Sequence, residues 1–207
     1  MGSQQHLGVT DVQAGEYAAA GGVLGRAFAT DPLWTAILGD PERRPEMLAR
    51  MFTGFSKAMA TQGKAEKAAD LSGVALWMPP GKELGVWAMV RSGFAISRFV
   101  MSLSSRERKL MLSTLREVDA RKKALMPAPH WYIAAIGVEP ERHGQGVGSA
   151  LMHHGMARAD RDEVPIYLET ETESNVGFYR HLGFVVIEEF EPAQVSVPLW
   201  LMKRDAA

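Results

Sequence analysis

The 207-residue chain predicts one α/β domain, an α+β mixed sheet flanked by helices, on three observations. Its C-terminal half reads strand, helix, strand, helix, strand, strand from its apolar runs and turn residues, the layering of helices against one sheet. Hydrophobic residues make up 46% of the sequence, enough at this length to bury a substantial core. No repeat of solenoid period and no low-complexity run divides the chain, so a single domain is expected over residues 1–207.

Leu7 to Thr10 is expected as a short first strand, and the Ala/Gly-rich stretch from Gly15 to Phe28 as a helix. Thr30-Asp31-Pro32 reads as an N-cap with proline just inside a new helix; Asp40-Pro41 repeats that signal ahead of an amphipathic helix, Glu42 to Thr61. Leu71 to Met78 is strand-like and is stopped by Pro79-Pro80-Gly81. Helical character then fills Lys82 to Leu125, with a break near Ser102 to Ser105, as an insertion over residues 82–127 ahead of the central strand. Trp131 to Val138 is a near-continuous apolar run, the pattern of a strand buried on both faces, and Pro140 ends it. A glycine-rich turn leads into a helix from Val147 to Arg161. Pro165 to Glu169 is a strand, Asn175 to Leu182 a short helix closed by Gly183, and Phe184 to Glu188 and Val195 to Met202 are terminal strands.

Composition removes several classes of function. With no cysteine, the chain has no disulfide framework, no thiolate metal centre and no thiol nucleophile, so a thioester cannot pass through the protein's own sulfur. A net charge of -1 gives no basic field for nucleic acid or an anionic membrane. Val86 to Leu103 is interrupted by Arg91 and Arg98 and falls short of a membrane span. Met1 to His6 shows neither the charged nor the apolar region of a secretion signal, so a cytoplasmic location is expected. His153-His154 lacks the spacing and the glutamate of a zinc helix, no metal is expected, and no G-x-S-x-G supports a serine hydrolase.

The turn Arg142-His143-Gly144-Gln145-Gly146-Val147-Gly148-Ser149 joins the buried strand to a helix. Free N–H groups at a helix start favour a phosphate, and glycines let the backbone approach it. Three readings compete: a turn needed only for tight packing, a dinucleotide fingerprint, and a pyrophosphate loop of another kind. The dinucleotide reading has Gly144, Gly146 and an acid, Glu169, about 20 residues on. It fails in detail, because Ser149 holds the third glycine position and Glu139 to His143 separates strand from glycines. One strand further on, Asn175 and Tyr179 are spaced i, i+4 on one helix face, and Phe178 and Leu182 form a second such pair. Alone, these fit an N-cap asparagine and a core tyrosine equally well.

Together the two blocks resemble the GNAT N-acetyltransferase superfamily. Its Gln/Arg-x-x-Gly-x-Gly/Ala loop falls on His143, Gly146 and Gly148, with histidine departing from the pattern, and its Asn-x-x-x-Tyr-x-x-x-Gly-Phe block on Asn175, Tyr179, Gly183 and Phe184. Trp131 to Val138, Leu168-Glu169-Thr170, Ala27-Phe28-Ala29 and Val74 to Trp77 are similar to puromycin N-acetyltransferase and its relatives within that superfamily. The resemblance implies a mixed sheet of about seven strands, with an acetyl-CoA-binding core over residues 131–190. It also implies acetyl transfer from acetyl-CoA directly to a primary amine in a ternary complex.

The roles that follow are those the resemblance implies. Ile136, Gly137 and Val138 would flank the pantetheine arm, with the Val138 N–H as oxyanion donor. Residues Arg142 to Ser149 would cradle the pyrophosphate, Asn175 and Phe178 would contact the arm, and Tyr179 would protonate the leaving thiolate. The general base is Glu169 or Asp31, or a water chain; each carboxylate also fits a plainer role, Asp31 as a helix cap and Glu169, Glu171 and Glu173 as solvated strand-end acids. Trp34, Trp77 and Trp131 are candidates to line an apolar acceptor pocket, and an acceptor amine flanked by an apolar group is expected. A nucleotide-dependent oxidoreductase and a catalytically silent CoA sensor remain as alternatives. The oligomeric state, monomer or homodimer, stays open.

Overall fold

The computed structural model describes residues 8–82 and 95–207. In chain order come β1 (Val9–Asp11), α1 (Tyr17–Ala27), α2 (Pro32–Ile37), α3 (Arg44–Gln62), β2 (Lys64–Ala68) and β3 (Gly73–Met78). They are followed by α4 (Ala95–Ser102), α5 (Ser105–Leu125), β4 (Trp131–Val138), α6 (Val147–Arg161), β5 (Ile166–Thr170), α7 (Glu173–His181), β6 (Val185–Phe190) and β7 (Leu199–Arg204). The seven strands form one sheet in the order β1-β2-β3-β4-β5-β7-β6. Only β4 and β5 run parallel; every other neighbouring pair is antiparallel. A doubly wound dinucleotide fold, which needs a mostly parallel sheet, is thereby set aside.

The expected helix boundaries hold where local chemistry sets them. Asp31 caps α2 by accepting the Trp34 N–H at 3.0 Å, with Pro32 at the first helical position. Ser104 and Glu107 form a reciprocal capping box that starts α5, the break expected near Ser102 to Ser105. Residues 83–94 of the expected insertion lie outside the described residues, as do Met1 to Leu7. The sequence reading missed β2, whose Lys-Ala-Glu-Lys-Ala pattern looks like surface. Its charges are buried because partners reach them: Arg158 from α6 pairs with Glu66, and Glu16 meets Lys67 at 3.0 Å.

Helices cover both faces. Leu24, Leu48 and Phe52 pack with Val74, Leu76 and Met78 of β3 on one face, while Leu151 and Met152 of α6 pack with Ala75, Trp77, Trp131 and Ile133 on the other. The β3–β4 register slips between Leu76 and Trp77, pairing Leu76 with Ala135 and Trp77 with Ile133. Ala134 is thus an extra residue in β4, and both Ala134 and Ala135 pack on the α1 side. This bulge bends β4 away from β5. The β4–β5 pairing covers only Trp131 with Ile166 and Tyr132 with Tyr167, after which the two strands part. Beyond Tyr132, the β4 edge facing β5 has no strand partner, leaving a split in the middle of the sheet.

Candidate active site

The glycine turn lies at the far end of β4. After a single 3-10 turn, Pro140–Arg142, the chain passes through Gly144 (φ 73°) and Gly146 (φ 81°), both left-handed, and enters α6. Such φ values cost an L-residue about 1–2 kcal/mol, so glycine fits the backbone here. Packing does not require it: a Cβ at either position meets no atom within 4 Å. The expectation of a turn needed only for tight packing fails on that point. Among the described residues, the N–H groups of Gly146, Val147, Gly148 and Ser149 have no acceptor, and no side chain caps the helix. A row of free N–H donors beside open space suits a phosphate. The loop is braced by Arg26, which grips the Glu139 carboxylate through two nitrogens, and by Arg142, paired with Asp70 at 3.1 Å. The His143 ring sits 3.1 Å from the Val138 carbonyl, turned back onto β4. Gln145 donates to the Glu141 carbonyl at 3.1 Å.

Ile136 and Val138 pack toward α6, while a Cβ on Gly137 would lie 2.7 Å from Ala27, so that glycine admits the close approach of α1. α7 begins at Glu173, earlier than expected, with Thr172 as its N-cap. Asn175 is therefore exposed inside the first turn rather than capping it. Phe178 and Phe184 flank the Tyr179 ring at centroid distances of 5.2 and 5.7 Å, and Tyr179 is buried. Its hydroxyl makes no hydrogen bond among the described residues. Burial, reinforced by the Glu171 charge, raises its pKa above the ordinary tyrosine value.

The carboxylates gather on the opposite side of the split. On β5, Ile166 and Leu168 pack toward α6, while Tyr167 packs on the α2 and α5 side. Strand alternation puts Glu169 on that same side, and Glu171, just past the end of β5, reaches Asp31 there. α2 packs there too, through Leu33 and Ala36, and its cap Asp31 meets Glu171. Burial raises the pKa of Asp31 against the lowering effect of the Trp34 and Leu33 N–H groups. Burial likewise holds Glu171 well above the usual carboxylate range, and the charges of Asp31 and Glu169 push it further. The Asp31–Glu171 pair titrates as a unit that keeps a proton to higher pH than a free acid. Burial also raises Glu169, opposed by the Tyr132 hydroxyl and by Lys122. The Lys122 ammonium lies 4.8 Å from the centre of the Tyr132 ring.

These positions correct several expectations. Glu169 and Glu171 are partly buried and mutually coupled, not solvated strand-end acids. Arg121 and Lys122 of α5 lie over the Phe190 and Tyr132 rings. Trp77 is fully buried with Gly155 of α6 against its ring, and Trp131 is buried with its indole donating to Asp162 at 2.8 Å. Both belong to the α6-side core and line no acceptor pocket. Trp34 is half-buried, edge-on to Phe99 at 6.5 Å. Glu171 and Tyr132 are the site residues that sequence reading passed over; their i+2 relation to Glu169 and their place before the β4 bulge were the available signals. No helix among the described residues is long and apolar enough to cross a membrane, and no group of three or more metal-binding side chains converges there.

Residues 110–184 match the model of the Acetyltransferase (GNAT) family. An uncharacterized N-acetyltransferase of Schizosaccharomyces pombe is 26% identical over 201 residues, which span 94% of this chain and 81% of the relative. Among solved structures, a histone acetyltransferase HPA2 and related acetyltransferase of Corynebacterium glutamicum is 25% identical, covers 96% of both chains and superposes with a TM-score of 0.67. The polyamine N-acetyltransferase of Drosophila melanogaster, which forms N-acetylagmatine, shares the fold with a TM-score of 0.66 at 14% identity, over 96% of this chain and 99% of its own.

Proposed function

We propose that the chain is an acetyl-CoA-dependent N-acetyltransferase of the GNAT superfamily and that it acetylates the primary amine of a small molecule directly, with both substrates bound together; the family-model match and the acetyltransferase relatives support this reading. The observation that carries this reading is the sheet split, with free helix N–H groups at one end, a phenol on one side and carboxylates on the other. Acetyl-CoA supplies the activated acetyl group. The N–H groups of Gly146 to Ser149 suit its pyrophosphate, because the space that a side chain at Gly144 or Gly146 would fill is open. The unpaired edge of β4 around Ile136 to Val138 suits its pantetheine arm, with Asn175 and Phe178 on the far wall.

The Asp31–Glu171 pair takes a proton from the incoming ammonium, since only a neutral amine attacks. Its raised pKa brings it closer to that task than an ordinary carboxylate. Tyr179 gives its proton to the leaving sulfur, and the second proton lost by the nitrogen as it becomes an amide refills the tyrosine through water. One proton is released overall. Carboxylates and phenol work from opposite faces of the split, so neither quenches the other. The likeness to puromycin N-acetyltransferase brings puromycin and other aminonucleosides into the substrate panel.

Two measurements test the reading. Acetyl-CoA at a hundred times its Kd adds about 2.7 kcal/mol of stability and should raise the melting temperature by several degrees, with no shift from NAD or NADP. Release of free CoA across an amine panel then reports turnover. A CoA-induced shift without turnover on any amine would favour a silent CoA sensor and defeat the proposal.

A further inference from the structure

We propose that Arg44 is a positioning residue for the reaction, its guanidinium fastening both ends of α2 and so holding Asp31 against Glu171; this rests on the acid-pair step of the acetyl-transfer reading. Arg44, the first residue of α3, is buried. Its Nε donates to the Leu38 carbonyl at 2.7 Å and its Nη2 to the Gly39 carbonyl at 3.4 Å, both at the C-terminal end of α2. Its Nη1 donates to the Ala29 carbonyl at 2.7 Å, two residues ahead of Asp31. One side chain thereby closes residues 29–39 into a loop, with α2 and its cap inside it.

That loop needs an external hold. α2 has six residues, too few for a helix to persist without tertiary support. The hold comes from a rigid platform, because α1 and α3 touch backbone to backbone: a Cβ on Gly25 would lie 2.7 Å from the Ala49 nitrogen, and one on Gly21 2.6 Å from the Ala49 carbonyl oxygen. Arg44 projects from this platform, and among the described residues it pairs with no carboxylate, only with carbonyls. A buried cation held in this way is a poor source of stability, which an apolar side chain of like volume commonly matches. What a guanidinium adds is a planar fork whose donors reach two separate lengths of backbone at once. The loop it closes is the one that carries Asp31.

Placement decides what Asp31 can do. Its meeting with Glu171 joins two elements, the cap of α2 and the residue just past β5. A misplacement of about 1 Å at a reacting centre can cost about a hundredfold in rate. A loop free at either end would lose the pair, while the glycine turn, which Arg44 does not touch, keeps its hold on CoA. The other titratable and charged groups around the pair are Glu169 of β5, Tyr132 of β4, Tyr179 of α7 and, facing Glu169, Lys122 of α5. None of them lies on residues 29–39, so a change confined to that loop reaches Glu171 through Asp31.

The test uses Arg44→Lys, which keeps the charge and loses the fork, well below its melting temperature. With saturating acetyl-CoA and the fastest amine of the panel, kcat is expected to fall about tenfold to a hundredfold, with the Kd for CoA within about twofold of the parent. Drawing Asp31 away removes a like charge from Glu171, so the 13C signal of the Glu171 carboxyl, assigned through Glu171→Gln, should titrate at lower pH in Arg44→Lys. A titration unchanged from the parent overturns the proposal. In Arg44→Ala, millimolar guanidinium chloride should restore both kcat and the parent titration, and sodium chloride of equal strength should not. Asp31→Asn separates the two levels of argument. If it keeps the parent kcat with chemistry rate-limiting, the acid-pair step falls and the proposal with it. If it is slow while Arg44→Lys is not, or if Arg44→Lys slows Asp31→Asn as much as it slows the parent, Arg44 serves stability alone and only the proposal is overturned.

Discussion

Gly146→Ala asks whether the turn before α6 serves a ligand or only the backbone. In the free protein, the added methyl meets no atom within 4 Å, so the stability loss comes from the left-handed φ of 81° alone. That costs about 1–2 kcal/mol. In a chain of this size each kcal/mol moves the melting temperature by about 2–4 °C, so a fall of about 2–8 °C is expected. If phosphate oxygens occupy that open space, the methyl also displaces at least one charge-assisted hydrogen bond of about 1.5–3 kcal/mol. The Kd for CoA should then rise about tenfold to 150-fold. Gly183→Ala is the matched control: its φ of 87° carries the same strain, and its methyl makes only ordinary contacts with Arg204 at 3.7 Å. Calorimetry with CoA on both folded variants, well below their melting temperatures, decides the matter. Equal thermal losses with a CoA affinity within twofold of the parent in both would refute the phosphate assignment.

Tyr179→Phe should lower kcat by about a hundredfold with little change in acetyl-CoA affinity; because the hydroxyl has no hydrogen bond among the described residues, the melting temperature should hold, and an unchanged kcat with chemistry rate-limiting removes Tyr179 from the mechanism. Glu171→Gln should stabilise the protein near pH 7. The folded-state pKa of Glu171 is raised, so the stabilising effect of its protonation is complete below an unfolded pKa of about 4.3 and lost as pH rises through the folded value. The melting-temperature gain should accordingly vanish near pH 4, and a gain independent of pH contradicts the assignment. Gly155→Ala sets a Cβ 2.0 Å from the Trp77 ring and should cost about 1–3 kcal/mol or more, with Trp77→Leu in the same chain recovering part of it; thermal melts of the single and double variants measure the recovery.

Sequence gave most of the fold where the governing chemistry is local. α6 runs over the expected Val147 to Arg161 because a glycine turn, apolar periodicity and basic residues in its last turn all lie within one short segment. The cap at Asp31 and the break at Ser104 were readable for the same reason. β2 was not, since Glu66 and Lys67 become strand residues only through Arg158, far along the chain, and Glu16. The acid pair shows the same limit at the site. Asp31 and Glu171 each have an ordinary local explanation, and only the seating of α2 against β5 brings them together. Trp77 and Trp131 erred in the other direction: an aromatic at a strand position does not reveal which face it takes, and both take the side filled by α6.

The bulge at Ala134 ties these strands of reasoning together. Without it, β4 would keep its alternation and its pairing with β5, and Glu169 and Glu171 would sit beside a continuous sheet. With it, β4 parts from β5 after Tyr132, and the Glu171 charge is felt at the Tyr179 phenol. Stability gains nothing from that opening: it leaves a strand edge unpaired and charges partly desolvated. Both costs meet at one place, while the buried Glu66, Lys67 and Glu107 are paired with Arg158, Glu16 and Arg43; under the proposed reaction a thioester arm entering the split and an ammonium at the acids would relieve them.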